Sequence, residues 1–452
     1  MSKLARTLSS LFCLGALSCT EALPPEASWP PTAKKWFDRA EQSYRTGDME
    51  DAEAAVESAL RMLPDEPAVR LVAARIALAR LDYDRTLQLL SGLTDEESAS
   101  IRGRAYWYSG QIEKAADELE RLVSNPEVRD TWATEVAKLA RRGAGRTPFR
   151  ISGGLVAVSE MPQVASTALV VPLEVNGEQA LAMIATGTAE AVVDSSRGGE
   201  PSWLSLRFGE RIEVKDVPAL AKDLSGLSRQ LNAPIKMLIG VNLLRRLHPT
   251  FDFSGGQFVV RSSDPPPPPE ATTVRLSYVR GGGMLMRGSF GTEPNVRWAS
   301  FLVDTSMTFP LALDDGGWKK AGVPLSSLRD VPNLGGLRAG MLPAMRLGAF
   351  ELPDVPGVYG APIAELEQGL DIDLDGLVGS GLLAPFRVTL VDGGRTMWLE
   401  DIPHEAMMQQ RRPLPPPEPN GTLDDDEDED DEPPKKPGTK PPAKPPAKPK
   451  AP

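Results

Sequence analysis

The chain has 452 residues, 41% hydrophobic and 25% charged, with 43 prolines, 40 glycines and a formal net charge of -12 at pH 7. That length exceeds one ordinary domain of about 100 to 200 residues, and the acidic balance without a basic patch argues against nucleic acid as a partner. Its two cysteines, Cys13 and Cys19, precede the body of the chain, and its two histidines, His248 and His404, stand far apart; a disulfide framework, a Ser/His/Asp triad and a multi-ligand zinc site are thereby disfavoured, and neither metal nor cofactor is expected.

The first segment, residues 1–19, carries Lys3 and Arg6, an apolar run from Leu8 to Leu17, and small residues before Cys19. This is the layout of an export signal, too short for a conventional membrane span. "ALSC", Ala16 to Cys19, resembles the bacterial lipobox, with Ala16 where leucine is preferred. The resemblance implies lipidation of Cys19, a tether over 20–32, and a protein exported to the bacterial cell envelope. There it would be anchored by lipid in the outer membrane, facing periplasm or exterior.

Residues 33–145 are rich in Ala, Leu, Glu and Arg at helical spacing. Three segments align, with Gly47, Leu81 and Gly110 at one inter-helix turn and Ala52, Thr86 and Ala115 as the small residues where paired helices approach. The pattern resembles the tetratricopeptide repeat, with a period of about 34 residues, whose stacked pairs bury a core no single pair could. The resemblance implies a groove for a partner protein; a short spacer is the plainer reading. Tyr106, Trp107 and Tyr108 are adjacent, so they point in different directions, and most are expected in the core.

Beyond this array the pattern changes to short alternating strands. Residues 150–262 and 272–402, separated by a proline-rich linker at 263–271, echo one another. "LAMIATGTAEAVV" matches "ASFLVDTSMTFPL", and "LIGVNLLRRLHPTFDFSGGQFVV" matches "LVGSGLLAPFRVTLVDGGRTMWL". Asn176-Gly177 between two apolar runs predicts a tight hairpin.

A hydrophobic pair before Asp-Thr/Ser-Gly, with a downstream "LIG" or "LVG" followed by "LL", resembles one lobe of the aspartic peptidases, and more narrowly the bacterial retropepsin-like group. The fold class so implied is multi-domain α and β: an N-terminal tetratricopeptide-like helical array followed by two β-rich acid-protease-like lobes. In that family each lobe supplies one aspartate at a tight turn, and the two carboxylates share a proton and hold the attacking water. Asp304, Thr305 and Ser306 fill the turn of the second lobe, whereas Ala185, Thr186 and Gly187 fill the first. The expectation is a disarmed peptidase site that binds a protein or peptide. The alternative is an active aspartic endopeptidase in which Asp304 works with Asp194, from the echoing "VVDSS", or with Asp304 of a second chain.

His248 is isolated and reads as a packed or surface histidine. Asp373 and Asp375 in "DIDLDG" lack the remaining ligands of a calcium loop. Residues 403–452 combine an acidic run, Asp424 to Glu432, with a Lys/Pro-rich end; this composition cannot bury a core, and a disordered, solvated spacer is expected.

Overall fold

The computed structural model describes residues 28–164, 167–291, 294–332 and 336–401; residues 1–19, read above as an export signal ending at Cys19, and His404 with the charged segment 403–452 lie outside the described residues. Seven helices come first: α1 (Pro31–Arg45), α2 (Met49–Met62), α3 (Pro67–Ala79), α4 (Tyr83–Leu89), α5 (Glu96–Tyr108), α6 (Ile112–Val123) and α7 (Thr131–Arg142). One turn recurs between the first three pairs. Gly47, Leu81 and Gly110 adopt left-handed φ of 73°, 62° and 83°. The following N–H groups, of Asp48, Asp82 and Gln111, reach back to the carbonyls of Ser43, Ala77 and Tyr106 at 2.8, 2.9 and 2.8 Å. These bonds occupy carbonyls a helix end otherwise leaves orphaned. Ala52, Thr86 and Ala115, on α2, α4 and α6, are fully buried.

The next elements are β1 (Arg150–Gly153), β2 (Val156–Glu160), β3 (Val170–Val175), β4 (Glu178–Ile184), β5 (Ala191–Asp194), β6 (Ser202–Phe208), β7 (Ile212–Lys222), α8 (Ser225–Leu231), β8 (Ile235–Ile239), α9 (Val241–Leu247), β9 (Thr250–Asp252) and β10 (Gln257–Arg261). The β3–β4 hairpin turns at Asn176-Gly177, both with positive φ, as the dipeptide predicts. The remaining elements are β11 (Thr272–Val279), β12 (Gly283–Phe290), β13 (Arg297–Asp304), β14 (Leu311–Leu313), α10 (Asp315–Ala321), β15 (Arg329–Asp330), β16 (Arg338–Leu347), β17 (Phe350–Tyr359), α11 (Ile363–Leu370), β18 (Gly376–Gly379), α12 (Ser380–Leu383), β19 (Phe386–Val391) and β20 (Thr396–Asp401).

The two halves repeat the same pairings. β4 runs parallel to β8 as β13 does to β18. β5 pairs antiparallel with β8 and parallel with β7, as β14 does with β18 and β17. β6 pairs with both β7 and β3, as β16 does with β17 and β12. The echo heard in the sequence is thus an echo of topology.

A third layer belongs to neither half alone. β2, β10, β9, β19, β20 and β11 lie side by side in one antiparallel sheet. At its centre Thr250 opposes Thr389. The array is likewise not a separate body. Helix residues such as Tyr44, Leu78 and Trp107 share one buried cluster with Val279, Leu285, Leu302, Ile363 and Leu374 of the second half. The Ser300 hydroxyl donates to the Thr46 carbonyl at 2.6 Å, and Asp373 N–H to the Arg45 carbonyl at 2.7 Å. On the other side Arg245 donates to the Tyr83 hydroxyl and Arg246 to the Tyr108 carbonyl, each at 3.1 Å. Buried clusters therefore run across residues 145 and 263–271.

Candidate functional site

Strands β4 and β13 each end in a tight turn, and the two turns meet. Thr186 N–H donates to Thr305 Oγ1 at 3.1 Å, and Thr305 N–H donates to Thr186 Oγ1 at 3.0 Å. Each hydroxyl also donates to the carbonyl two residues before the opposite threonine: Thr186 to Val303 at 2.8 Å, Thr305 to Ile184 at 2.9 Å. Both threonines are 3% exposed, so these bonds are made away from water, where leaving a polar group unmade is costly. The exchange relates Ile184 to Val303, Ala185 to Asp304, Thr186 to Thr305 and Gly187 to Ser306.

The same relation extends outward. Val241 N–H donates to the Thr188 carbonyl at 3.0 Å, and Ser380 N–H to the Met307 carbonyl at 2.9 Å. The position related to the Asp304 carboxylate is therefore a methyl group. Ala185 is 4% exposed and its N–H donates to the Ile239 carbonyl at 3.0 Å.

Asp304 is half-buried. Its Oδ1 accepts from Ser306 N–H at 3.0 Å and from the Ser306 hydroxyl at 2.6 Å. The carboxylate lies against Gly187: a Cβ there would stand 2.5 Å from Asp304 Cγ, so any side chain at this position would have to push the carboxylate aside. One carboxylate can hold a water and act as a single acid or base. It cannot share a proton with a partner, because pKa splitting needs a second ionisable group in contact.

Asp194 lies elsewhere, at the end of β5. It accepts from Lys236 Nζ at 2.9 Å, from Ser196 N–H at 3.0 Å and from Leu224 N–H at 3.2 Å. Burial raises its pKa, but these hydrogen bonds outweigh that and hold the carboxyl well below the usual carboxylate range. No hydrogen bond joins it to Asp304 among the described residues. The turn that meets the Asp304 turn is that of Thr186 in the same chain.

Glu190, three residues past Gly187, carries no signal in the sequence that marks it as part of the site. It is 3% exposed and accepts from Trp107 Nε1 at 3.2 Å, Trp132 Nε1 at 3.1 Å and Asn242 Nδ2 at 3.1 Å. Burial pushes its pKa up against the pull of these donors and of Arg245. Two helices of the array thus grip the turn that carries Ala185. Trp107 and Tyr108 are buried, while Tyr106 is half-buried beneath Lys114.

His248 caps α9 with a left-handed φ of 42° and pairs with Asp264. Asp373 pairs with Arg45, and Asp375 accepts from Ser300 N–H at 2.9 Å and Lys320 at 2.8 Å. Among the described residues no group of three or more His, Cys, Asp or Glu could hold a metal ion, and no helix is long and apolar enough to cross a membrane.

No family model matches the chain, and no curated protein matches it. Solved structures do. A retropepsin-like aspartic protease from Rickettsia conorii is similar at 22% identity and a TM-score of 0.22, over 29% of this chain and 91% of that one. Basic 7S globulin from soybean is similar at 9% identity and a TM-score of 0.37, over 56% of this chain and 95% of that one. An aspartic proteinase from Irpex lacteus is similar at 11% identity and a TM-score of 0.37, over 55% and 98%.

Proposed function

We propose that this chain is an aspartic-peptidase-like binding protein: two peptidase-type lobes, disarmed for catalysis, that hold a protein or peptide beside a tetratricopeptide-type array. One observation carries the reading. The reciprocal hydrogen bonds of Thr186 and Thr305 relate Ala185 to Asp304, so the paired-carboxylate mechanism lacks one of its two acids. Removing one member of such a unit costs several orders of magnitude in rate. The turn itself, with its buried threonines and its glycine, is retained.

The same proposal includes export and a lipid anchor at Cys19, which would hold the protein at the envelope surface with its array and lobes free to meet a partner. The supporting feature is the charged, apolar, small-residue order of residues 1–19.

The test is a cleavage assay on a denatured, fluorescently labelled protein across the acidic range, with wild type and Asp304→Asn side by side. No turnover by either is expected. Turnover by the wild type that Asp304→Asn abolishes would establish the active-peptidase reading in place of this one.

A further inference from the structure

We infer that the array and the second lobe form one continuous track for an extended peptide, beginning at the Gly187 turn; this rests on the peptide-binding reading above. The track starts in a cavity of about 320 Å³ beside Gly187, walled by Leu302 on β13 and by Leu366 and Leu370 on α11, with Tyr108 and Trp132 of the array opposite. A second cavity, of about 770 Å³, lies between α11 and the inner faces of α1, α3 and α5. Arg104, Asp130, Arg280 and Leu370 line both, so the two spaces meet along a shared wall.

The chemistry of the walls selects the ligand. Gly187 is exposed, and no hydrogen bond to its N–H or carbonyl is found among the described residues; a main chain laid along the turn can supply the missing partners. The first cavity offers aromatic and leucine side chains to one bulky apolar group. At the seam, the Arg104 side chain is 8% exposed, pairs with Asp130 at 2.8 Å and lies 3.9 Å from the Trp132 ring centroid. Its Nε has no partner among the described residues. The larger cavity is lined by both signs of charge, including Arg75, Arg129, Glu96 and Glu127, which suits a polar peptide continuing past its apolar anchor. The track also prolongs the contact by which the array already holds α11, since Ile363 belongs to the helices' buried cluster. A partner using it would extend an interface the chain has built for itself.

A peptide selected from a random dodecamer display library on the full chain, then fluorescein-labelled, is the probe. Leu370→Trp narrows the seam, Ser100→Trp fills the array-side cavity, and Trp298→Ala removes an exposed ring outside both. The first two should each weaken binding at least about tenfold, and the third should leave Kd within about twofold. Melting curves check that each variant folds. A photoreactive side chain placed along the peptide should cross-link wild-type protein at α11 and at α5 or α7, a readout that needs no variant. If a selected peptide binds but Ser100→Trp leaves its Kd unchanged and cross-links avoid the helices, the track is wrong while the binding reading stands. If no peptide is selected at all, the binding reading falls and the track falls with it.

Discussion

Thr250 and Thr389 meet hydroxyl to hydroxyl at 2.8 Å, in the middle of the shared sheet and 139 residues apart in the chain. Thr186 and Thr305 meet 119 residues apart, each N–H donating to the other's hydroxyl oxygen. Two threonine pairs therefore mark one approximate two-fold relation through the molecule, and that relation, more than any single motif, identifies Ala185 as the counterpart of Asp304.

Thr186→Val keeps the shape of the side chain while removing its hydroxyl. It leaves Thr305 N–H and the Val303 carbonyl without their partner in a buried place. A loss of about 1 to 3 kcal/mol is expected. Thr305→Val should cost a similar amount, and the double variant less than the sum, because both act on one network. Urea denaturation of the four proteins measures the shortfall; strict additivity would show that the two threonines do not work as a unit.

Ala185→Asp places a second carboxylate at the position related to Asp304. Like charge and burial should raise the pKa of one member of the pair. A raised folded-state pKa means the variant is closest to wild type in stability below the ordinary carboxyl range of about 4. It falls behind as pH rises toward the new value, losing about 1.4 kcal/mol for every pH unit that separates the folded and unfolded values. Acid-dependent cleavage of the labelled substrate, absent from the wild type and from Ala185→Asp with Asp304→Asn, would show that the turn still positions the chemistry.

Asp194→Asn makes the opposite statement about pH. Because the folded-state pKa of Asp194 is depressed, its contribution is present above the unfolded carboxyl value and is lost as pH falls through the folded one. The stability gap between wild type and variant should be about 1 to 3 kcal/mol at neutral pH, and it should close on acidification. The cleavage conferred by Ala185→Asp should survive Asp194→Asn. Its abolition would reopen the case for Asp194 as the partner acid.

Glu190→Gln presents an amide N–H₂ where donors already converge from Trp107, Trp132 and Asn242. At least one donor then faces another, at a cost of about 1 to 3 kcal/mol. The wild-type carboxyl has its pKa raised by burial, so it favours folding at low pH and loses that advantage as pH rises through the folded value. The pH slope of stability in that window should therefore flatten in the variant. Tryptophan emission should also shift, since the indole that faces the new amide N–H₂ loses its acceptor.

Much of this was legible in the residues. The Gly47, Leu81 and Gly110 register foretold one recurring turn, even with leucine where left-handed φ favours glycine. Leu81 is tolerated because its side chain is buried: burying a leucine contributes about 1.5 to 3 kcal/mol, against about 1 to 2 for the backbone strain. The register of Ala185 against Asp304 could be read from the hairpin before it. "VVDSS" misled for a local reason. Asp194 and Asp304 each accept from the serine two residues on, at 3.0 Å, so the two stretches share a turn without sharing a place in the lobe. What could not be read was long-range. Glu190 finds its indoles 83 and 58 residues away, and the pairing of β2 with β10 alternates buried and exposed positions that the residue types of "VAVSE" do not mark.

The shared sheet also sets an order of events during folding. β9 cannot pair with β19 until the chain beyond residue 386 exists, whereas each helix pair of the array closes over neighbours in sequence. Local contacts form fast and distant strand pairs slowly, so the helices are complete while the first lobe still waits for its far partner. On that order Trp107 and Trp132, both on local helices, should be the earlier partners and Glu190 the later one. The array should then serve as a template for the late sheet, and a chain begun after residue 145 should refold more slowly and aggregate more readily than the whole.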